Sequence, residues 1–391
     1  MLNNTNNIIF YRAYTQYENL GDIIIHKTLI RRLRNYGSLI IDDIGVPDWY
    51  CKELGLESEE RASQYGYNGT QEEDFWRFML LVKLKSLIKL NFNKMYFVLS
   101  PGNDAMGWGR WKSAKRVLYS FWLATLEIRI VRFGVSIGLF TRQRELVEKL
   151  SSKFMYFYSV RDSISVNYAK SIGVNNVYLF PDMAWLMEKP VSHNLIRNSG
   201  EEDYVIFSFR RLPISKNDLT RSEFSTPESL FSVLDKIVKL VCGQWSKKLI
   251  ISYQVTRDRD FCKELADRYT NSTDVVFIEK QINSQSMYDL YSRAFMVFSN
   301  RLHVLMFAMA CGSLPVAVVD VAVQHKVTGI FSDVGLMQLV IDIGKGNSAV
   351  ESLPGIEDEA DKIKEKMASR YESRRQEGED LLDQVMTGKI Q

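Results

Sequence analysis

Cysteine is scarce and scattered. The four residues at 51, 242, 262 and 311 form no CxxC pair and have no histidine at ligand spacing. That argues against a zinc or iron–sulfur centre and predicts free thiols in a reducing cytosol. G-x-G-x-x-G and the P-loop lysine are also missing, so neither a dinucleotide site nor a Walker site is indicated. The opening Met-Leu-Asn-Asn-Thr-Asn-Asn carries neither a basic segment nor a long apolar one, and no signal peptide is expected there. The longest run with few charges, 302–322, is broken by Gly312-Ser313-Leu314-Pro315 into a buried helix and a buried strand. Neither reaches the ~20 residues a membrane-spanning helix needs. A net charge of only +3 and the lack of a recognition motif leave no basis for nucleic-acid binding.

What the chain does have is material for two cores. Its 391 residues suggest two domains, and 46% hydrophobic with 25% charged residues is the balance of a soluble globular protein. The charge is uneven. Between Arg77 and Arg132 eleven Lys/Arg face only Asp104 and Glu127, a surplus of nine that leaves −6 for the rest.

Strands alternate with helices throughout. A strand over 7–11 is followed by the loop Glu18-Asn19-Leu20-Gly21-Asp22 and a helix over 23–34. A strand at 38–44 comes next, then a polar, irregular stretch at 51–75 that reads as an exposed insertion. Basic helices are expected at 75–90 and 110–125, the second rich in Trp and Tyr. Between them lies a strand (95–99) and the loop Ser100-Pro101-Gly102-Asn103-Asp104. Basic amphipathic helices with aromatics suit an anionic membrane face, though ordinary packed helices with solvated lysines read the same way. Strands at 128–137, 154–160 and 177–180 complete the first half. Residues 187–202 read as a linker, and strands at 204–209, 249–255, 275–279, 294–298, 316–319 and 339–343 alternate with helices in the second. Such alternation predicts α/β architecture with mostly parallel sheets covered on both faces. The expected domains are 1–190 and 200–345, with a charged terminal helix in 356–391 packing across both. Arg161-Asp162 is expected to be structural, and Asp258-Arg259-Asp260 to be a helix start rather than a metal site.

One stretch gathers chemistry. An apolar strand runs into Ser299-Asn300, and Arg301, Leu302 and His303 follow in the first turn of a helix that Asn300 is expected to cap. Unpaired N–H groups, a guanidinium and an imidazole together suit a phosphate or carboxylate with an acid/base beside it. A strand ending in Arg210-Arg211 offers a second guanidinium. Alternation allows only one of the pair to point inward, and Arg210 is favoured.

Ser-x-Arg-Leu-His at 299–303, the small-residue helix, Gly-x-x-Pro at 312–315 and Lys326 eleven residues further resemble the polysaccharide pyruvyl transferase family. Asn-x-Gly-Asp at 19–22, Gly-Val-Ser-Ile-Gly at 134–138, Ser-Val-Arg-Asp at 159–162 and Pro-Asp-Met-Ala at 181–184 resemble its other landmarks, in order. Ser-Pro-Gly-Asn at 100–103 departs from the run of glycines usual there. The resemblance implies a GT-B-like pair of doubly wound domains facing across a cleft. It also implies transfer of pyruvate from phosphoenolpyruvate onto two sugar hydroxyls with release of phosphate, in surface-glycan synthesis. A cytoplasmic location is expected, and the basic aromatic helices suggest the inner face of a membrane. Phosphoenolpyruvate would be donor substrate, with no cofactor or metal. Carried over residue by residue, Arg301, Leu302, Arg210 and Lys326 would hold the donor and His303 would move the proton. Asn19, Asp22, Asn103 and Asp104 would face the acceptor sugar, which a lipid diphosphate could carry. Rival readings are a GT-B glycosyltransferase using a nucleotide sugar and a non-catalytic subunit of a polysaccharide assembly complex.

Overall fold

The computed structural model describes residues 7–88, 94–104, 110–138, 140–188, 204–214, 218 and 221–390. The expected linker at 187–202 falls almost wholly outside them. Two compact units result, each built on one all-parallel sheet.

The first unit comprises Met1–Tyr17, Asp22–Leu186 and Arg375–Gln391. Its strands are β1 (Ile8–Arg12), β2 (Ser38–Asp42), β3 (Met95–Leu99), β4 (Gly102–Asp104), β5 (Ile128–Ile137), β6 (Met155–Val160) and β7 (Tyr178–Leu179). They lie in the order β2-β1-β3-β5-β6-β7, with the short β4 also paired to β5. The chain steps outward from β1 to β2 and then returns to the other side of β1, so the order reverses between β1 and β3. At their carboxyl ends the Ser100 hydroxyl donates to the Arg12 carbonyl at 2.7 Å.

The second unit comprises Glu18–Gly21 and Met187–Arg374. Its strands are β8 (Tyr204–Ser208), β9 (Lys248–Ile251), β10 (Val275–Phe277), β11 (Met296–Ser299), β12 (Leu314–Val319) and β13 (Val340–Asp342). Their order β10-β9-β8-β11-β12-β13 is that of a doubly wound dinucleotide-type sheet. The reversal falls between the adjacent strands β8 and β11, paired in register from Val205–Met296 to Ser208–Ser299. All residues of β11 and β12 are buried, as two-sided coverage requires.

Two expectations are corrected. The 51–75 stretch is ordered by a helix (Asp48–Leu54) and two short 3-10 turns. It buries Cys51, Leu54, Ala62 and Tyr67 and is tied down by Arg34, which donates to Glu60 at 2.7 Å. Isolated apolar residues among charges gave no period to read. Residues 18–21 belong with the second unit rather than the first. The Leu20 N–H donates to the Gln254 carbonyl at 3.1 Å, Asn19 bridges Val255, and Gln281 donates to the Glu18 carbonyl at 2.6 Å. Of the terminal helix (Ala360–Thr387), residues through Arg374 group with the second unit and those from Arg375 with the first. All four cysteines are free thiols.

Candidate anion site at the β8/β11 reversal

Arg210 and Arg301 each stand two residues beyond the end of one of the two strands between which the second sheet reverses. That is where a doubly wound sheet leaves a crevice at its carboxyl edge. The two loops are locked together by Asn300. Its side-chain carbonyl accepts from the Arg210 N–H at 2.8 Å, and its amide donates to the Arg210 carbonyl at 2.7 Å. Asn300 is therefore not the helix cap the sequence suggested. Arg301 occupies that position in extended backbone, and the helix runs Leu302–Cys311. Asn300 satisfies buried backbone groups across the strand pair, a stronger demand than one exposed cap bond. The Arg301 N–H is taken by the Ser299 hydroxyl at 2.9 Å. Gly312, at φ 83°, closes the helix in the left-handed conformation that favours glycine.

Arg301 is 13% exposed and grips Asp258, a residue 4% exposed, through two nitrogens; the outer contact is 2.6 Å. Sequence reasoning treated Asp258 as a helix-start decoration and missed this partnership. The two residues are 43 positions apart, and only the fold brings them together. Arg210 is different. It is half-buried and donates to the Ile214 carbonyl at 3.1 Å rather than to a carboxylate. Burial, then the neighbouring Arg301 and Arg257 guanidiniums, bring its pKa down to about 10 against the weaker pull of Asp258 and Asp218. Burial is the larger cause and the neighbouring guanidiniums the second, and a bound anion would offset both. Arg211 turns outward to Glu264 on the exposed surface.

His303 is the second residue of the helix and is half-buried. Its ring stacks on Phe307 one turn on, at 6.0 Å and 16°. Gly21 also lies against it. A Cβ at position 21 would lie 2.5 Å from His303 Nδ1 and 2.9 Å from its Cβ. The glycine of Asn-x-Gly-Asp is thus required by a close approach to the imidazole. Asn19 accepts from the Gly21 N–H at 3.1 Å, shaping this turn within the second unit. Leu302 is buried and presents only its backbone. Lys326 lies in the first turn of a helix (His325–Asp333).

The remaining expected residues are in the first unit, at its own reversal. Asp22 accepts from the Thr15 hydroxyl at 2.6 Å. Asn103 and Asp104 are the last two residues of β4, paired with Ser136 and Ile137; their side chains lie outside the description. Arg161 is ion-paired with buried Asp182 and donates to Ser136 at 2.7 Å, while Asp162 caps the next helix through the Ser165 N–H at 2.7 Å. Both are structural.

The fold has close parallels among solved structures. UDP-GlcNAc 2-epimerase from Neisseria meningitidis, bound to UDP-GlcNAc, is similar at a TM-score of 0.57 and 13% identity over 98% of this chain and 100% of that one. An alpha,alpha-trehalose-phosphate synthase (UDP-forming) from Burkholderia vietnamiensis gives 0.55 and 10%, covering 99% of each. The Methanocaldococcus jannaschii UDP-GlcNAc 2-epimerase gives 0.50 and 14%, over 98% of this chain and 100% of that one. No curated protein matches the sequence. The molecule is accordingly a GT-B-like protein of two Rossmann-like units. Within that class, the polysaccharide pyruvyl transferase family model matches residues 19–313, and the chain belongs to that family. The matched span contains Asn19, Arg210, Arg301 and His303 and stops short of Lys326.

Proposed function

We propose that the protein transfers pyruvate from phosphoenolpyruvate to two hydroxyls of a sugar, forming a cyclic ketal and releasing phosphate. Family membership supports the reaction class. The observation that carries the donor assignment is the pair Arg210 and Arg301 at the β8/β11 reversal. Phosphoenolpyruvate brings a carboxylate and a phosphate, and two guanidiniums beside a helix N-terminus match that charge. Arg210, with no carboxylate partner among the described residues, takes the first acidic group. Arg301, aimed by Asp258, takes the second together with the opening N–H groups of the helix. Lys326 adds positive charge at the rim.

One sugar hydroxyl adds its oxygen to C2 of the enol while C3 receives a proton, giving a phospho-ketal. The second hydroxyl then displaces phosphate at C2 by C–O cleavage and gives up its own proton. His303 transfers the proton, a role worth about 10²–10⁴-fold in rate. Asp22, Asn103 and Asp104 are assigned to the acceptor, which belongs to surface-glycan synthesis. The test is phosphate release from phosphoenolpyruvate in the presence of sugar acceptors, with a parallel thermal-shift series. Stabilisation by phosphoenolpyruvate and acceptor-dependent phosphate release are expected. Stabilisation by UDP or UDP-sugars alone would instead favour a glycosyltransferase.

A further inference from the structure

Two neighbouring helices of the first unit, Glu72–Ile88 and Arg110–Thr125, present an apolar outer surface that the pyruvyl-transfer reading does not use. They pack side by side on one face of the sheet. Lys115 donates to Glu73 at 3.1 Å, and the Trp76 and Tyr119 rings meet edge-on at 4.8 Å. Their inner faces join the core around Phe10, Phe97 and Leu123.

Their outer faces break the usual pattern. On the first helix Leu81, Leu84, Leu87 and Ile88 are exposed, Ile88 by 82%. On the second, Leu118, Phe121 and Trp122 are exposed, all on one side at i, i+3 and i+4. Among the described residues these seven are half of the fourteen large exposed hydrophobics, so the surface is a concentration rather than scatter. The contacts from Glu73 to Lys115 and from Trp76 to Tyr119 set Leu81 about level with Trp122, which makes the two stripes continuous.

The charges around the patch select its partner. Arg77 and Lys85 are exposed on the same helix as the leucines, and from Arg77 to Asp104 the sequence has no acidic residue before Asp104 itself. The acids of the first helix, Glu72, Glu73 and Asp74, are confined to its opening turn, about four turns from Ile88. A protein interface of this size carries hydrogen-bonding groups of both kinds to fix its register. Leucines, a Phe and a Trp with Arg77 and Lys85 exposed beside them, and with exposed Glu127 lying past the end of the second helix, instead have the composition of a helix face lying in a bilayer interface.

We infer that this two-helix face docks on a membrane surface containing anionic lipid, inserting Leu84, Ile88, Phe121 and Trp122 to headgroup depth while Arg77 and Lys85 pair with phosphates. Among the described residues no helix is long and apolar enough to cross a membrane, so the contact is peripheral. The inference is independent of the reaction assigned above.

The full chain is sedimented with vesicles of phosphatidylcholine alone and with about 30 mol% phosphatidylglycerol. Binding to the mixed vesicles is expected, weaker on phosphatidylcholine and weakened by salt. The triple variant Leu84→Ser, Phe121→Ser, Trp122→Ser should lose about tenfold or more of that partition at an unchanged melting temperature. Arg77→Glu with Lys85→Glu should weaken binding to the mixed vesicles only. Failure to sediment with mixed vesicles, or equal sedimentation of the triple variant, overturns the inference. So does a wild-type dimer in sedimentation velocity that the triple variant converts to monomer, since a second copy would then cover the face.

Discussion

Gly21 and His303 sit closer than any side chain at position 21 would allow, and this makes the pair separable by mutation. Gly21→Ala should cost about 1–3 kcal/mol, because a ring stacked on Phe307 has little room to yield. His303→Ala removes the obstacle, so the double variant should recover most of that stability. A double-mutant cycle in urea reads the coupling directly, and additive effects would show that the two do not meet. His303→Ala alone should cut turnover by about 10²–10⁴-fold at an unchanged melting temperature. Asp258 belongs to the same scale. Its loss as Asp258→Ala strands the Arg301 guanidinium and should cost about 3 kcal/mol in denaturant unfolding, with Asp258→Asn costing less. Individual residues were the least legible level in sequence. Arg301 and His303 drew attention as residue types at a strand-to-helix turn. The true duty of Asn300, clasping the backbone of a residue 90 positions earlier, had no local signal.

Elements were legible wherever period and punctuation agreed. The strand Ile128–Ile137 and the helix Arg110–Thr125 lie where the apolar pattern placed them. The start of the helix Pro227–Val238 was written in a capping Thr226 and a Pro in its first turn. Where one residue broke the pattern, physics of another kind had taken over. Arg132 stands fully buried in β5, and the helix Arg142–Ser152, unread in sequence, exists there to answer it: Glu148 pairs with Arg132, with Arg144 at 3.1 Å and with the Tyr158 hydroxyl at 2.7 Å. Burial pushes the Glu148 carboxyl up. Arg132, Arg116, Arg144 and the Tyr158 hydrogen bond outweigh it and bring its pKa down to about 2. A carboxyl depressed in the folded state stabilises fully above its unfolded pKa and loses that contribution as pH falls from there toward its folded value. Wild-type stability should therefore drop between about pH 4.5 and pH 2 through this cluster. Glu148→Gln should be less stable by about 3 kcal/mol at pH 7, with the gap closing toward pH 2. A gap of the same size at both pH values would remove Glu148 from the acid response.

At the scale of the whole molecule, the alternation of strands and helices was enough to foresee two doubly wound units, because a parallel sheet buried on both faces needs continuous apolar runs and crossover helices. The path of the chain between the units was not foreseeable. Residues 18–21 join the second unit through backbone hydrogen bonds to Gln254 and Val255, and backbone pairing of that kind leaves no mark on side-chain type. Its consequence is functional: the Asn-x-Gly-Asp motif divides, giving its glycine to His303 and its aspartate to the first unit. On the reading proposed above, the reversals of strand order, β1/β3 and β8/β11, mark where each unit takes its ligand. For the second unit that ligand is proposed to be an anion, and Arg210 is a cation there without a carboxylate partner among the described residues. Titration calorimetry of phosphoenolpyruvate into the wild type and into Arg210→Gln is the direct measurement. Binding by the wild type with a loss of about tenfold or more in the variant, both folded to the same melting temperature, is the expected result. Equal affinity of the two proteins for phosphoenolpyruvate, or none in either, would contradict an anion site at the β8/β11 reversal.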